Sequence, residues 1–313
     1  MVANTPSLIL FLSQQQGSRM IFNKKTLSFT IACLLSTTAI EANAALVTLN
    51  LSGDTKTTAD STSTSDSQSD TAGVCAHSDV YETYSSSIAN ARADNTGWFY
   101  ATSRGYYNYM SESTVKQVYN VTNDASDDQF FDFSFEVMNG SITASCGDSG
   151  YGYGYGYGYG NNECSVDDFA EAGYMAEILF NGSSIWDSAA KVTSDSNGAV
   201  LTSSGVSFNN SYSGSDYLSW GTNLFSINLG LVAANTSFTL EYIVTTRVEG
   251  VLLDPSSGYN TAYAQFGDPN GFSSTNNTFS SRNADVPEPA ILALFGLGLA
   301  GVGFSRRQTK TIN

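Results

Sequence analysis

Positive charge is what this sequence lacks most. Of 313 residues, 13 are Lys or Arg against 29 Asp or Glu, and charged residues make up only 13% of the chain. So few cations exclude a basic face for nucleic-acid phosphates and a polybasic hold on anionic lipid. Histidine occurs once, at His77. Any Ser-His-Asp arrangement would have to use it. Cys75, Cys146 and Cys164 supply too few partners for a zinc site. His77 stands at the edge of a low-complexity stretch, so a surface histidine is expected. No Gly-rich phosphate loop precedes a helical pattern. What is abundant is Ser, Thr, Asn, Gly and Tyr, a balance that suits a β-rich protein outside the cytoplasm. The length allows one large or two small domains.

Both ends read as addresses. Residues 20–44, MIFNKKTLSFTIACLLSTTAIEANA, place a basic pair, Lys24-Lys25, before a mostly apolar run and a small-x-small site at Ala42-Asn43-Ala44. This is the plan of a secretory signal peptide, with cleavage expected between Ala44 and Ala45 and export by the Sec route. Residues 1–19 fit no such plan, so Met20 is the expected start and 1–44 is read as a signal peptide with an upstream extension. At the other end, residues 290–304 form an uncharged, Gly-rich apolar run. That is short for a membrane-spanning helix, and the basic Arg306, Arg307 and Lys310 behind it keep the tail on the cytoplasmic side.

Val286-Pro287-Glu288-Pro289, a short hydrophobic helix and then Arg306-Arg307 together resemble the PEP-CTERM sorting signal, over residues 286–313. The resemblance implies a Gram-negative bacterium that makes extracellular polysaccharide. It also implies recognition by an exosortase, a membrane cysteine transpeptidase that cuts near the PEP motif. The chain would be anchored transiently in the inner membrane, then reach the envelope, surface or matrix. Pro287 and Pro289 also keep the segment extended, the form a protease-like site grips.

Between the ends, residues 45–285 carry 27 acidic and seven basic groups, a net charge near −20. Residues 53–73, GDTKTTADSTSTSDSQSDTAG, hold no aromatic or large aliphatic side chain and are expected to be disordered. Beyond them the pattern is β. QFFDFSFEV, residues 129–137, alternates apolar and polar, as does 236–248. Further strands are expected at 98–110, 114–121, 174–180, 184–192, 217–231 and 259–266, and one helical piece at 167–176. Asn181-Gly182, Asn197-Gly198 and Asn270-Gly271 are turn signals between them. Many short strands with such turns predict a mainly β protein, a jelly-roll-like β-sandwich with low-complexity loops.

The chemistry is sparse. Asp127-Asp128 and Asp167-Asp168 are carboxylate pairs of the kind glycosidases use, but no fold-specific motif accompanies them, and no enzyme is expected. Residues 123–128, NDASDD, offer oxygen ligands that suit calcium, yet lack an Asp-x-Asp-x-Asp-Gly loop; no cofactor and no metal site is expected, with calcium as the alternative. Cys146 and Cys164 flank GYGYGYGYGYG, residues 150–160, and their pairing would close a loop over it. Pairing of either with Cys75 stays open. So much glycine disfavours a strand, and the tract reads as a loop within 146–164.

The expected function is a non-enzymatic structural or adhesive protein of the envelope, biofilm or matrix, working with exopolysaccharide. The alternative is a lectin-like module. It would need exposed aromatics such as Trp98, Trp186 or Trp220 to stack on sugars; core tryptophans are the competing reading.

Overall fold

The computed structural model describes residues 45–96, 98–147, 164–209, 211–254, 258–267 and 277–284. The signal segment with Met20 and Ala44, the Tyr-Gly tract 150–160, Asn270-Gly271, the hydrophobic run 290–304 and the sorting tail 286–313 lie outside the described residues.

The described chain is all β. In order its strands are β1 Leu46–Ala59, β2 Thr62–Asp70, β3 Gly73–Tyr81, β4 Ser86–Asp94, β5 Phe99–Tyr106, β6 Tyr109–Thr122, β7 Gln129–Val137, β8 Gly140–Cys146, β9 Phe169–Phe180, β10 Ser183–Asp195, β11 Gly198–Gly205, β12 Ser211–Ser213, β13 Tyr217–Trp220, β14 Asn223–Val232, β15 Ser237–Val251, β16 Asn260–Gly267 and β17 Thr278–Asn283. Sheet A runs β11-β10-β9-β15-β6-β1-β2, sheet B runs β12-β13-β8-β16-β5-β4-β3, and sheet C runs β14-β7-β17. Sheets B and C both pack against sheet A, which makes a β-sandwich.

Strand alternation builds the core. On β7 the side chains of Phe131, Phe133, Phe135 and Val137 have no exposed surface. They meet rings from sheet A: Phe131 against Phe238, Phe133 against Tyr119, and Phe135 against Trp186 and Tyr242, at centroid distances of 5.0–5.8 Å. Edge-on and tilted contacts of this kind add to plain area burial. The Asn181-Gly182 turn between β9 and β10 has positive φ at both residues, 49° and 79°, as a two-residue hairpin needs.

Residues 53–73, expected to be disordered, are strands instead. They complete β1, form β2 and open β3. The expectation assumed that order requires large apolar side chains. Here the two layers approach closely enough to need none. A Cβ on Gly53 would lie 3.2 Å from the Ala91 carbonyl oxygen. Ala89, Ala91 and Ala93 of β4 are buried opposite Thr55, Thr57, Ser111 and Ser113. Serine hydroxyls cross between the sheets: Ser111 donates to the Ile88 carbonyl (2.6 Å), Ser113 to that of Asn90, Ser87 to that of Met110 (2.7 Å) and Ser103 to that of Thr246 (3.0 Å). Small residues and satisfied hydroxyls replace an oily core.

Three other expectations change. The helical piece at 167–176 is the start of β9, because Ala170, Ala172, Tyr174 and Ala176 are buried at period two; burial overrides the helix propensity of Ala and Glu. The 98–110 segment divides at Tyr107, whose φ is 65°. Segment 217–231 divides into β13 and β14, in different sheets. The buried Asn223 side chain pins that break: its Nδ2 donates to the carbonyls of Gly221 (2.7 Å) and Asn209 (3.1 Å), and its Oδ1 accepts from Asn209 N–H (2.7 Å).

Candidate functional site

The residues singled out by sequence fall in separate places. His77 lies on the exposed face of β3 between Cys75 and Asp79. Its Nδ1 is 2.7 Å from Asn90 Oδ1, and its Nε2 is 3.8 Å from Asp79 Oδ1. Cys75 is a free, exposed thiol. Asp168 is buried and holds a corner: its Oδ1 accepts from Leu253 N–H (2.8 Å) and its Oδ2 from Ser165 N–H (3.3 Å). In the loop at 123–128, Asn123 Nδ2 donates to the carbonyls of Val232 (3.0 Å) and Asp127 (3.1 Å), and Asp128 Oδ1 accepts from Ala234 N–H (3.0 Å). These groups tie the loop to its own surroundings. Among the described residues, no three His, Cys, Asp or Glu side chains converge as a metal set.

Cys146 and Cys164 are joined in a disulfide, with Cα atoms 5.4 Å apart. The bridge links the end of β8 in sheet B to the approach of β9 in sheet A, and it brackets the Tyr-Gly tract in sequence.

Two of the three tryptophans are core residues. Trp186 and Trp220 are buried, and Trp220 Nε1 donates to the Met138 carbonyl (3.0 Å). Gly140 makes room for it, since a Cβ there would lie 2.2 Å from the Trp220 ring. Neither ring can meet a sugar. Trp98 is half-buried.

The outer faces of the two large sheets differ. Sheet A presents ion pairs: Lys116 with Glu241, Lys191 with Glu171 (3.0 Å), and Arg247 with Glu249 (2.7 Å) and Glu112 (3.7 Å). Between Lys191 and Arg247 the strand residue is Gly173. Its missing side chain leaves a groove of about 410 Å³, lined also by Met175 and Ala189. Every charged wall of that groove is already paired.

Sheet B presents tyrosines. The register places Arg104, Tyr263, Thr143 and Tyr217 in one row across β5, β16, β8 and β13. Four residues back along β5 from Arg104, on the same face, stands Tyr100, paired with Arg92 on β4. Tyr100, Tyr217 and Tyr263 are half-buried, and Tyr212 on β12 is exposed with its ring 5.5 Å from that of Tyr217. Tyr263 Oη donates to Gln265 Oε1. Burial pushes the Tyr263 phenol up to about 12, and it raises that of Tyr100, with the Arg92 and Arg104 guanidiniums acting the other way. Both are neutral donors at ordinary pH. The strands β5, β16 and β8 contain no Asp or Glu. Neither Arg92 nor Arg104 has an ion-pair partner among the described residues. Sequence reasoning looked for tryptophan and missed this face; Tyr100, Tyr217 and Tyr263 were visible in the sequence, but the alignment of β5, β16 and β13 that gathers them was not.

Against known proteins, residues 285–307 match the family described as PEP-CTERM protein-sorting motif. No curated protein matches the chain, and no solved structure does. The matched stretch contains Val286, Pro287, Glu288, Pro289, Arg306 and Arg307. The motif implies export, membrane-associated sorting toward the cell surface and processing by an exosortase. At its C-terminal end, then, the chain carries a PEP-CTERM protein-sorting motif, over residues 285–307.

Proposed function

We propose that this sandwich is a non-enzymatic structural or adhesive protein of the cell envelope or extracellular matrix, working with exopolysaccharide. One observation carries the reading. The last strand, β17, ends at Asn283, and the sorting motif begins at residue 285. What the sorting step delivers is therefore the sandwich itself, with no further domain between it and the motif. Asp168 and the side chains of Asn123 and Asp128, in the 123–128 loop, hydrogen-bond to the backbone around them. Export follows the Sec route from the signal at 20–44, with a transient inner-membrane stage before release to the surface or matrix. A lectin-like module is the second reading. The buried Trp186 and Trp220 speak against its tryptophan version, and the tyrosines on sheet B favour another form of it.

Fractionation with and without the exosortase tests the proposal. With the enzyme, the chain is expected in the surface or matrix fraction with a shortened C-terminus. Unchanged location and unchanged C-terminal mass on deleting the enzyme would overturn the sorting step. Shedding of the processed chain into the medium would overturn the adhesive role.

A further inference from the structure

We infer that the outer face of sheet B is a binding surface for an acidic, carboxylate-bearing polysaccharide, an inference that rests on the adhesive reading above. Three observations lead there. First, the register brings the half-buried rings of Tyr100, Tyr263 and Tyr217 to one outer sheet surface, with neutral phenols and the amide of Gln265 beside them. Apolar ring faces bordered by amides and hydroxyls match a sugar, which carries C–H faces and hydroxyl edges. Second, the charge is local and of the right sign. Residues 45–285 have a net charge near −20, yet the middle strands β5, β16 and β8 hold no carboxylate. Carboxylates near this face stand at its margins: Asp79 on the edge strand β3, Asp94 at the end of β4, and Asp216 in the turn just before Tyr217 of β13. Charges more than about 10 Å away are largely screened at physiological salt, so the nearby groups decide the sign. Third, Arg92 and Arg104 flank the tyrosines in register, Arg92 beside Tyr100 and Arg104 beside Tyr263. The other arginines described, Arg247 and Arg282, are each in ion pairs. Arg92 has, besides, a buried Nε with no hydrogen-bond partner. Unpaired guanidiniums bind carboxylates through two parallel hydrogen bonds. A continuous sheet surface suits an extended chain better than a small molecule, which requires a concave site.

The test titrates the full chain, purified in detergent, with polygalacturonate and with neutral dextran. Polygalacturonate is expected to bind, more weakly as salt is raised, and dextran is not. The Arg92→Gln/Arg104→Gln double variant should lose tenfold or more of that affinity, and Tyr217→Ser should lose several-fold. Lys191→Gln, on the opposite face, should bind like the parent. Tyr217 and Arg104 are at the surface, and retention of the parent's thermal midpoint confirms that each variant folds. Equal binding of both polymers, binding of neither, or equal loss in Lys191→Gln would overturn the inference. So would sedimentation showing that this face instead joins two copies of the chain. Matrix retention is scored separately. A parent chain that stays in the matrix but ignores polygalacturonate sinks the face and leaves the adhesive role standing, whereas a chain shed from the matrix sinks that role itself.

Discussion

Phe133 has no exposed surface and meets Phe135, Phe279 and Tyr119 with centroids 5.5, 4.8 and 5.8 Å away. Phe133→Ala should therefore cost about 3–5 kcal/mol, since the neighbours are rings that cannot collapse into the cavity. Urea unfolding measures it; a loss under about 1 kcal/mol would mean that sheet C is not packed on sheet A as described. Phenols provide a second test. Burial pushes Tyr119 and Tyr174 up to about 12, with hydrogen bonds from Asn277 and Ser188 opposing it. An unfolded tyrosine ionises near 10. The folded state thus holds its protons to higher pH than the unfolded one. The stability these residues contribute is complete below pH 10 and is lost as pH rises toward about 12. Denaturant midpoints should fall over that window, together with a late rise in phenolate absorbance. A midpoint flat through pH 11 would contradict the burial of these rings. The alternation that buries Phe131, Phe133 and Phe135 was legible in QFFDFSFEV. The buried role of Trp186 and Trp220 was not, because a tryptophan's burial depends on what the opposite sheet places over it.

The strand pair β2 and β3 shows an element that composition hides. These strands end different sheets, yet side chains of β2 reach the backbone of β3: Thr64 Oγ1 donates to the Asp79 carbonyl (3.2 Å), Asp66 Oδ2 accepts from His77 N–H (3.1 Å), and Gln68 Oε1 accepts from Cys75 N–H (3.0 Å). Every second residue of one strand serves every second residue of the other, in antiparallel order. An edge strand with free N–H groups is a template for pairing with another chain. The Ser/Thr/Asp/Gln run thus covers an edge, and disorder was the wrong inference because polarity at period two was not weighed as a hydrogen-bonding pattern. The Asp66→Ala/Gln68→Ala double variant should uncover two N–H groups of β3. Sedimentation velocity at rising concentration should then show self-association that the parent lacks; identical profiles would show that the edge needs no cover. The stability loss should be modest, about 1 kcal/mol per bond.

At the scale of the molecule, the disulfide cross-links the end of β8 in sheet B to the segment that leads into β9 of sheet A. Cys146 and Cys164 are 18 residues apart in sequence, and chain entropy puts the contribution of such a closure at ~3 kcal/mol. Cys146→Ser should lower the thermal midpoint by several degrees, while a reductant should lower the parent's to match and leave the variant unmoved. If the reductant destabilised the variant as much as the parent, the effect would lie elsewhere. The sequence by itself determined the sorting motif at the C-terminus, the β class, and most strand positions from β5 onward. Those features are written in local order: a motif is a run of adjacent residues, and a strand is a period of two. Only the tertiary structure decided that 53–73 is ordered, that 167–176 is strand, that 217–231 is split between sheets, and that tyrosines from three strands share with Arg92 and Arg104 a face whose middle strands β5, β16 and β8 carry no carboxylate. Each of these depends on which strands pair and which layers meet. Such pairings join residues up to 167 positions apart in sequence, as Gly267 and Tyr100 are, and no local pattern carries them.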